Sequence, residues 1–208
     1  MSRNGAISGL HPPWDQRLAR VLVRPLAKTP VTPNQLTLVS LLVSVAGALL
    51  LATGDTGLMN WGAGLFVLGR FLDHFDGELA RTTGLTSRRG YYFDYLAGCA
   101  SYAALFVGIA VGVSATLPGQ LVLGLALLGG VSAVLVMVLD LKLDAETGDD
   151  SATGYPSWGG FELEDGIYLL APVTWLGYLV PFFVVAAVGA SLFALWTLIR
   201  VLALGRRS

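Results

Sequence analysis

Charge is what this 208-residue chain has least of: 13% of its residues are charged, against roughly 25% in a soluble domain. With 54% hydrophobic residues, that shortage excludes an ordinary water-soluble enzyme and points to a membrane protein. Cysteine is nearly absent too. The single Cys99 excludes a disulfide framework within the chain, and a lone cysteine in an apolar run is most often a small core residue. No His/Cys cluster suited to zinc is present. A cleavable leader is not expected, because the first 34 residues are polar and basic, without a short apolar core ahead of small residues. No nucleic-acid partner is expected either.

What the chain does have is long apolar runs. A bilayer core about 30 Å thick needs about 20 apolar residues per helical crossing. Six windows qualify: about 35–52, 58–72 with a polar extension toward Arg81, 91–113, 118–139, 166–180 and 181–199. The last two run together across Leu179, Val180 and Pro181. In lipid every backbone polar group needs an internal partner, and these windows are too long for barrel strands. The expected fold is therefore all-α integral membrane, with six transmembrane helices over 35–205. Residues 1–34 form a separate N-terminal segment. Its stretch "WDQRLARVLVRPLAK" (14–28) interleaves Arg with Leu and Val, as an amphipathic juxtamembrane helix on anionic headgroups does, and Pro25 kinks or ends it. The following "TPNQLT" (32–37) reads as a helix start, with Thr32 or Asn34 as N-cap.

Six crossings put twelve of the thirteen Lys and Arg residues on one side; the thirteenth, Arg70, lies near the same end of the second span. The opposite side shows only Asp55. The positive-inside rule then places both termini and the acidic stretch 73–94 in the cytoplasm. A bacterial or archaeal cell membrane is the expected location.

Ionisable residues at membrane depth are costly, so they mark a functional site by default. Asp73 and Asp76 are three residues apart, Gly77 is four and Ala80 seven from Asp73, so all four share one helical face. Two carboxylates beside two very small residues let a flat ligand approach the backbone while oxygens hold a hard cation. Asp94 opens the next helix and faces the same cleft after the turn 82–90, where Gly84 and Gly90 permit a tight reversal. An oxygen-only donor set suits Mg²⁺, Mn²⁺ or Ca²⁺. Glu78 falls on another side, solvated or paired with Arg81. His74 is about 100° round the helix from Asp73, open to a role at the site or in packing.

Written as a pattern, the stretch is D-x2-D-G-x2-A-R-x8-G-x3-D, with Asp73, Asp76, Gly77, Ala80, Arg81, Gly90 and Asp94 in place. It resembles the signature of the CDP-alcohol phosphotransferase family of integral-membrane enzymes. The resemblance implies a Mg²⁺ or Mn²⁺ site at Asp73, Asp76 and Asp94 that bridges to the pyrophosphate of a CDP-linked donor such as CDP-diacylglycerol. Gly77, Ala80, Arg81 and Gly90, with Asn34 and Thr37 at the start of the first span, are implied on the donor nucleotide. The implied reaction is attack by an acceptor hydroxyl on the donor phosphorus, with CMP leaving. Such enzymes work among membrane lipids, and a homodimer is compatible with the small residues in the spans.

One position departs. The family signature ends in a fourth aspartate, usually regarded as general base and metal ligand, and Gly98 stands there. Three readings follow. A carboxylate from elsewhere replaces it, Asp165 in "FELEDGIYLL" being favoured, with His74 a weaker catalytic candidate. Or the acceptor is already ionised or metal-activated. Or the chain is a non-catalytic or weakly active paralogue that binds donor and metal. A small ion transporter fits poorly, because the acids gather at one end of the spans instead of lining a midplane path. The segment 140–165 holds eight acids and one base, Lys142, which favours a neutral or cationic acceptor alcohol over a phosphorylated one.

Overall fold

The computed structural model describes residues 14–147, 157–158 and 161–205. Its elements in chain order are helix α1 (Trp14–Val23), a 3₁₀ turn (Leu26–Lys28), α2 (Pro33–Leu51), α3 (Thr56–Thr83), α4 (Arg88–Gly112) and α5 (Gly119–Thr147). A two-residue antiparallel ladder (Ser157–Trp158 with Phe161–Glu162) follows, then a 3₁₀ stretch (Leu163–Leu169), α6 (Leu170–Trp175) and α7 (Leu179–Gly205). Among the described residues four helices, Pro33–Leu51, Arg88–Gly112, Gly119–Leu143 and Leu179–Ala203, are long and apolar enough to cross a membrane. α3 has the length, at 28 residues, but carries Arg70, Asp73, Asp76, Glu78 and Arg81 in its second half.

The local signals act where the sequence places them. Thr32 is the N-cap of α2 and forms a capping box with Gln35, whose side-chain oxygen accepts from the Thr32 N–H at 2.9 Å, and Pro33 occupies the first turn. Asp55 caps α3 by accepting from Leu58 N–H at 2.9 Å. Gly84 closes α3 in the left-handed region at φ 72°, and Ser87 caps α4 three residues later.

The fifth apolar window does not form one long helix. Pro172 has no N–H to give to the carbonyl of residue 168 and its ring crowds that group, so the chain before it winds as 3₁₀ and only six residues are α-helical. Gly177 (φ 81°) then ends α6 in a Schellman arrangement, with Tyr178 N–H on Val173 O at 2.7 Å and Gly177 N–H on Thr174 O at 2.9 Å. α7 begins at Leu179, so Val180 and Pro181 lie inside it.

In lipid the outside is as apolar as the inside, so helices associate through close van der Waals fit at small residues. α2 shows this on two sides. A Cβ on Gly47 would come within 2.6 Å of Phe66 N and 2.7 Å of Gly62 O on α3. A Cβ on Gly108 of α4 would be driven into the Ala48 carbonyl oxygen. α3 and α4 are thus drawn against one stripe of α2 (Thr37, Ser40, Ser44, Gly47, Ala48, Leu51). α4 packs next on α5 and α5 on α7, around Phe66, Leu105, Phe106, Ile109 and Phe183. α1 lies against α3, its Ala19 and Val23 on Phe75 and Leu79, while Leu18, Val21 and Leu22 face outward.

Candidate metal centre

The α2–α3–α4 convergence assembles three carboxylates. Asp73 and Asp76 on α3 and Asp94 on α4 each offer an oxygen within 4.8 Å of the others. Oxygens on one cation at about 2.1–2.5 Å can be at most about 4.2–5 Å apart, so the spacing fits a single hard cation. The donor set is all oxygen, which fits Mg²⁺, Mn²⁺ or Ca²⁺.

Neighbours orient each carboxylate. Asp76 is buried and its Oδ2 accepts a hydrogen bond from the Thr37 hydroxyl of α2. Asp73 accepts from Ser40 Oγ on Oδ1 at 3.1 Å and from Arg70 Nη1 on Oδ2 at 2.9 Å. The Arg70 guanidinium is itself buried and lies over the Tyr102 ring, 4.8 Å from the centroid. Such outer partners fix the ligand oxygens and set their affinity for a cation.

The residues implied for the donor lie on the same three helices. Thr37 touches it directly through Asp76. Asn34 sits over Gly90, where an added Cβ would lie 2.8 Å from Asn34 Oδ1, so the starts of α2 and α4 meet there. Gly77 and Ala80 are half-exposed on α3 beside the carboxylates. Arg81 is exposed and bonds Glu78 Oε1 at 3.0 Å. Glu78 is not solvated as one sequence reading had it: it is 2% exposed and also takes Arg20 of α1, Nε on Oε2 at 3.1 Å and Nη2 on Oε1 at 3.3 Å.

His74 meets α1. Its Nε2 lies 2.8 Å from Asp15 Oδ2 of α1, and Tyr168 Oη donates to the same carboxylate at 2.9 Å. Burial pushes the Asp15 carboxyl up, but the bonds from His74 and Tyr168 outweigh it and hold it below the ordinary range. These contacts tie α1, α3 and the 3₁₀ stretch together. Asp165 is half-buried on that stretch and is not one of the three clustered carboxylates. Much of the acidic segment 140–165, including 148–156, falls outside the described residues.

Gly98 lies buried on α4 one turn past Asp94. A Cβ there would overlap the Met137 Cε methyl of α5 and sit 3.0 Å from its Sδ. The space of a fourth side chain is therefore filled by a thioether. Ser40, Arg70 with Tyr102, and Met137 were not singled out from the sequence. Ser40 had a signal, since Thr37, Ser40 and Ser44 recur at helical spacing in an otherwise apolar run.

A helical membrane fold with an oxygen-lined carboxylate centre at one end of its spans is the class these features define. The match to the CDP-alcohol phosphatidyltransferase family model spans residues 30–205, and the chain belongs to that family. It is 38% identical over 108 residues to the archaetidylinositol phosphate synthase of Pyrococcus horikoshii, covering 51% of this chain and 54% of that one. It is 40% identical over 105 residues to the phosphatidylinositol phosphate synthase of Corynebacterium glutamicum, covering 49% and 46%. The matches thus span about half the length of these curated relatives. Its fold resembles that of the Mycobacterium tuberculosis phosphatidylinositol phosphate synthase with CDP-DAG bound, at TM-score 0.62 and 21% identity over 90% of this chain and 91% of that one. The same enzyme in complex with manganese and citrate gives TM-score 0.59 and 22% identity over 91% and 86%.

Proposed function

We propose that this protein is a membrane transferase of phospholipid biosynthesis that moves a phosphatidyl or phospho-alcohol group from a CDP-linked donor to an acceptor hydroxyl and releases CMP. The observation that carries it is the trio Asp73, Asp76 and Asp94 within 4.8 Å, oriented by Thr37, Ser40 and Arg70. The trio holds Mg²⁺ or Mn²⁺, which when bound neutralises charge on the donor pyrophosphate and on the leaving CMP. Manganese in one relative's structure and CDP-DAG in another support cation and donor. Gly77, Ala80, Gly90 and Asn34 shape the opening for the nucleotide, and Thr37 fixes Asp76 beside it. Arg70 keeps Asp73 aimed. The acceptor oxygen bonds to the donor phosphorus as the bond to CMP breaks, and the hydroxyl proton goes to a base.

The spans fit this chemistry if α3 and the segment Leu163–Trp175 also cross. Seven 3₁₀ residues at about 2.0 Å and six α residues at about 1.5 Å reach roughly 23 Å, short of the ~30 Å core but adequate with local thinning. Six crossings put both termini and the carboxylates in the cytoplasm, and the outward Leu18, Val21 and Leu22 of α1, flanked by Arg17 and Arg24, on the lipid surface. Self-association through a small outward residue such as Gly189 is part of the same reading.

For the acceptor, the acidic segment 140–165 supports a neutral or cationic alcohol, whereas the names of the relatives support an inositol phosphate. A binding paralogue without turnover is the second reading, favoured by the thioether at Gly98. Purified protein in micelles, with labelled CDP-diacylglycerol and a panel of neutral, cationic and phosphorylated alcohols, decides among them. Acceptor-dependent CMP release that Asp73→Asn abolishes is the expected result. Donor binding without CMP release from any acceptor overturns the transferase reading.

A further inference from the structure

Transfer needs a group to take the acceptor's proton, within hydrogen-bond reach of the attacking oxygen. Asp73 and Asp76 already accept from Ser40, Arg70 and Thr37 and, with Asp94, line the cation site. The next position on α4 toward the membrane, Gly98, has no side chain, and Met137 fills its space.

The same contact fixes the register of α4 against α5. Gly129 of α5 lies against the Phe106 ring, and Met137 lies against Gly98. Eight residues forward on α5 match eight residues back on α4, as antiparallel neighbours require. Three further steps place Asp140 opposite Tyr95, next to Asp94 in sequence and at the level of the carboxylate centre. Gly129 and Asp140 are eleven residues apart, about three turns, so Asp140 sits on the stripe that meets α4. Leu139 and Leu143 instead pack with Val201 of α7. Asp140 is 5% exposed and is the first charged residue of α5, at the membrane edge ahead of Lys142, Asp144 and Glu146. A carboxylate held there at the cost of desolvation marks a function.

We propose that Asp140 is the catalytic base: α5 supplies from across the cleft the carboxylate that α4 lacks at Gly98. The inference rests on the transferase reading above. The acceptor oxygen forms its bond to phosphorus, the phosphorus–oxygen bond to CMP breaks, and the hydroxyl proton passes to an Asp140 carboxylate oxygen and then to water. Met137, one turn deeper on α5, closes the space behind.

The test uses the full chain in micelles with labelled CDP-diacylglycerol and the acceptor panel. Asp140→Asn, Asp165→Asn, the pair Gly98→Asp with Met137→Ala, and that pair combined with Asp140→Asn are compared with wild type. Mn²⁺ alone, followed by its spin resonance, reports an intact centre independently of turnover. Asp140→Asn is expected to slow transfer about 10²- to 10⁴-fold while Mn²⁺ and donor binding stay within about threefold. Adding the pair should recover at least about tenfold of that loss, because it returns a carboxylate to α4. Asp165→Asn should stay within about threefold. The proposal is overturned if Asp140→Asn transfers like wild type, if Asp165→Asn carries the loss instead, or if the pair restores nothing while Mn²⁺ still binds. A wild-type protein that binds donor but transfers to no acceptor sinks the underlying reading as well, and so separates the two failures.

Discussion

The bundle has two halves of different construction. α2, α3 and α4 touch backbone to backbone, through Gly47 against Gly62 and Gly108 against Ala48, and share a polar stripe that ends in three carboxylates. α5 and α7 meet mainly through larger apolar side chains, with Ser132 to Ser191 at 3.2 Å as a polar link, while Gly124 and Gly189 have nothing near a would-be Cβ. A precise first half suits a site whose ligand oxygens must lie within tenths of an ångström. A looser second half suits a wall that shapes one side of the cleft. In lipid, where burial of apolar surface does not drive association, tight fit is the main means of fixing helix positions, and it is concentrated where geometry matters.

The comparison breaks most sharply at the ligands. Asp76→Asn is expected to reduce transfer by at least about 10³-fold, which corresponds to about 4 kcal/mol of lost stabilisation. Mn²⁺ binding should fall with it. Wild-type Mn²⁺ affinity in that variant would refute the centre. The glycines come next. Gly108→Leu forces bulk into the Ala48 backbone, which cannot give as a flexible side chain can, and should cost about 1–3 kcal/mol or more, read as a lower midpoint of thermal unfolding in micelles. Gly124→Leu, placed in open space, should leave the midpoint unchanged to within about 0.5 kcal/mol. Equal loss in both would erase the contrast between the halves.

How much of this was visible in the sequence follows from the same contrast. The carboxylates, their small companions and the cap at Thr32 depend on local spacing, so the sequence carries them. Helix α3 was legible as one element despite its charges because its period runs unbroken through Asp73 and Asp76. The fifth apolar window misled, because hydropathy sums over residues and does not register that Pro172 and Gly177 break the ladder. What the sequence hid are contacts between distant segments. Asp15 meeting His74 and Tyr168, Arg20 reaching Glu78, and Met137 occupying the space at Gly98 depend on tertiary register, which no local pattern encodes.

The groups behind the ligands sharpen the comparison further. Thr37→Val removes the hydroxyl that donates to Asp76 while keeping the shape, and Ser40→Ala removes the donor to Asp73. Each is expected to weaken Mn²⁺ binding or activity by about 10- to 100-fold, the usual effect of losing an outer partner of a metal ligand. If both are silent, the polar stripe of α2 is packing alone.

The smallest effect belongs to the other half. Ser132→Ala breaks the hydroxyl pair with Ser191, but Ser191 also donates to Ala187 O within its own helix at 2.7 Å, so no donor is stranded. Hydrogen bonds between membrane helices average about 0.6 kcal/mol by double-mutant cycles, because the separated helices find other partners. Ser132→Ala should therefore lower stability by no more than about that amount and leave Mn²⁺ affinity untouched. A loss of Mn²⁺ binding in Ser132→Ala would mean that α5 and α7 set the ligand geometry after all, and that the two halves act as one.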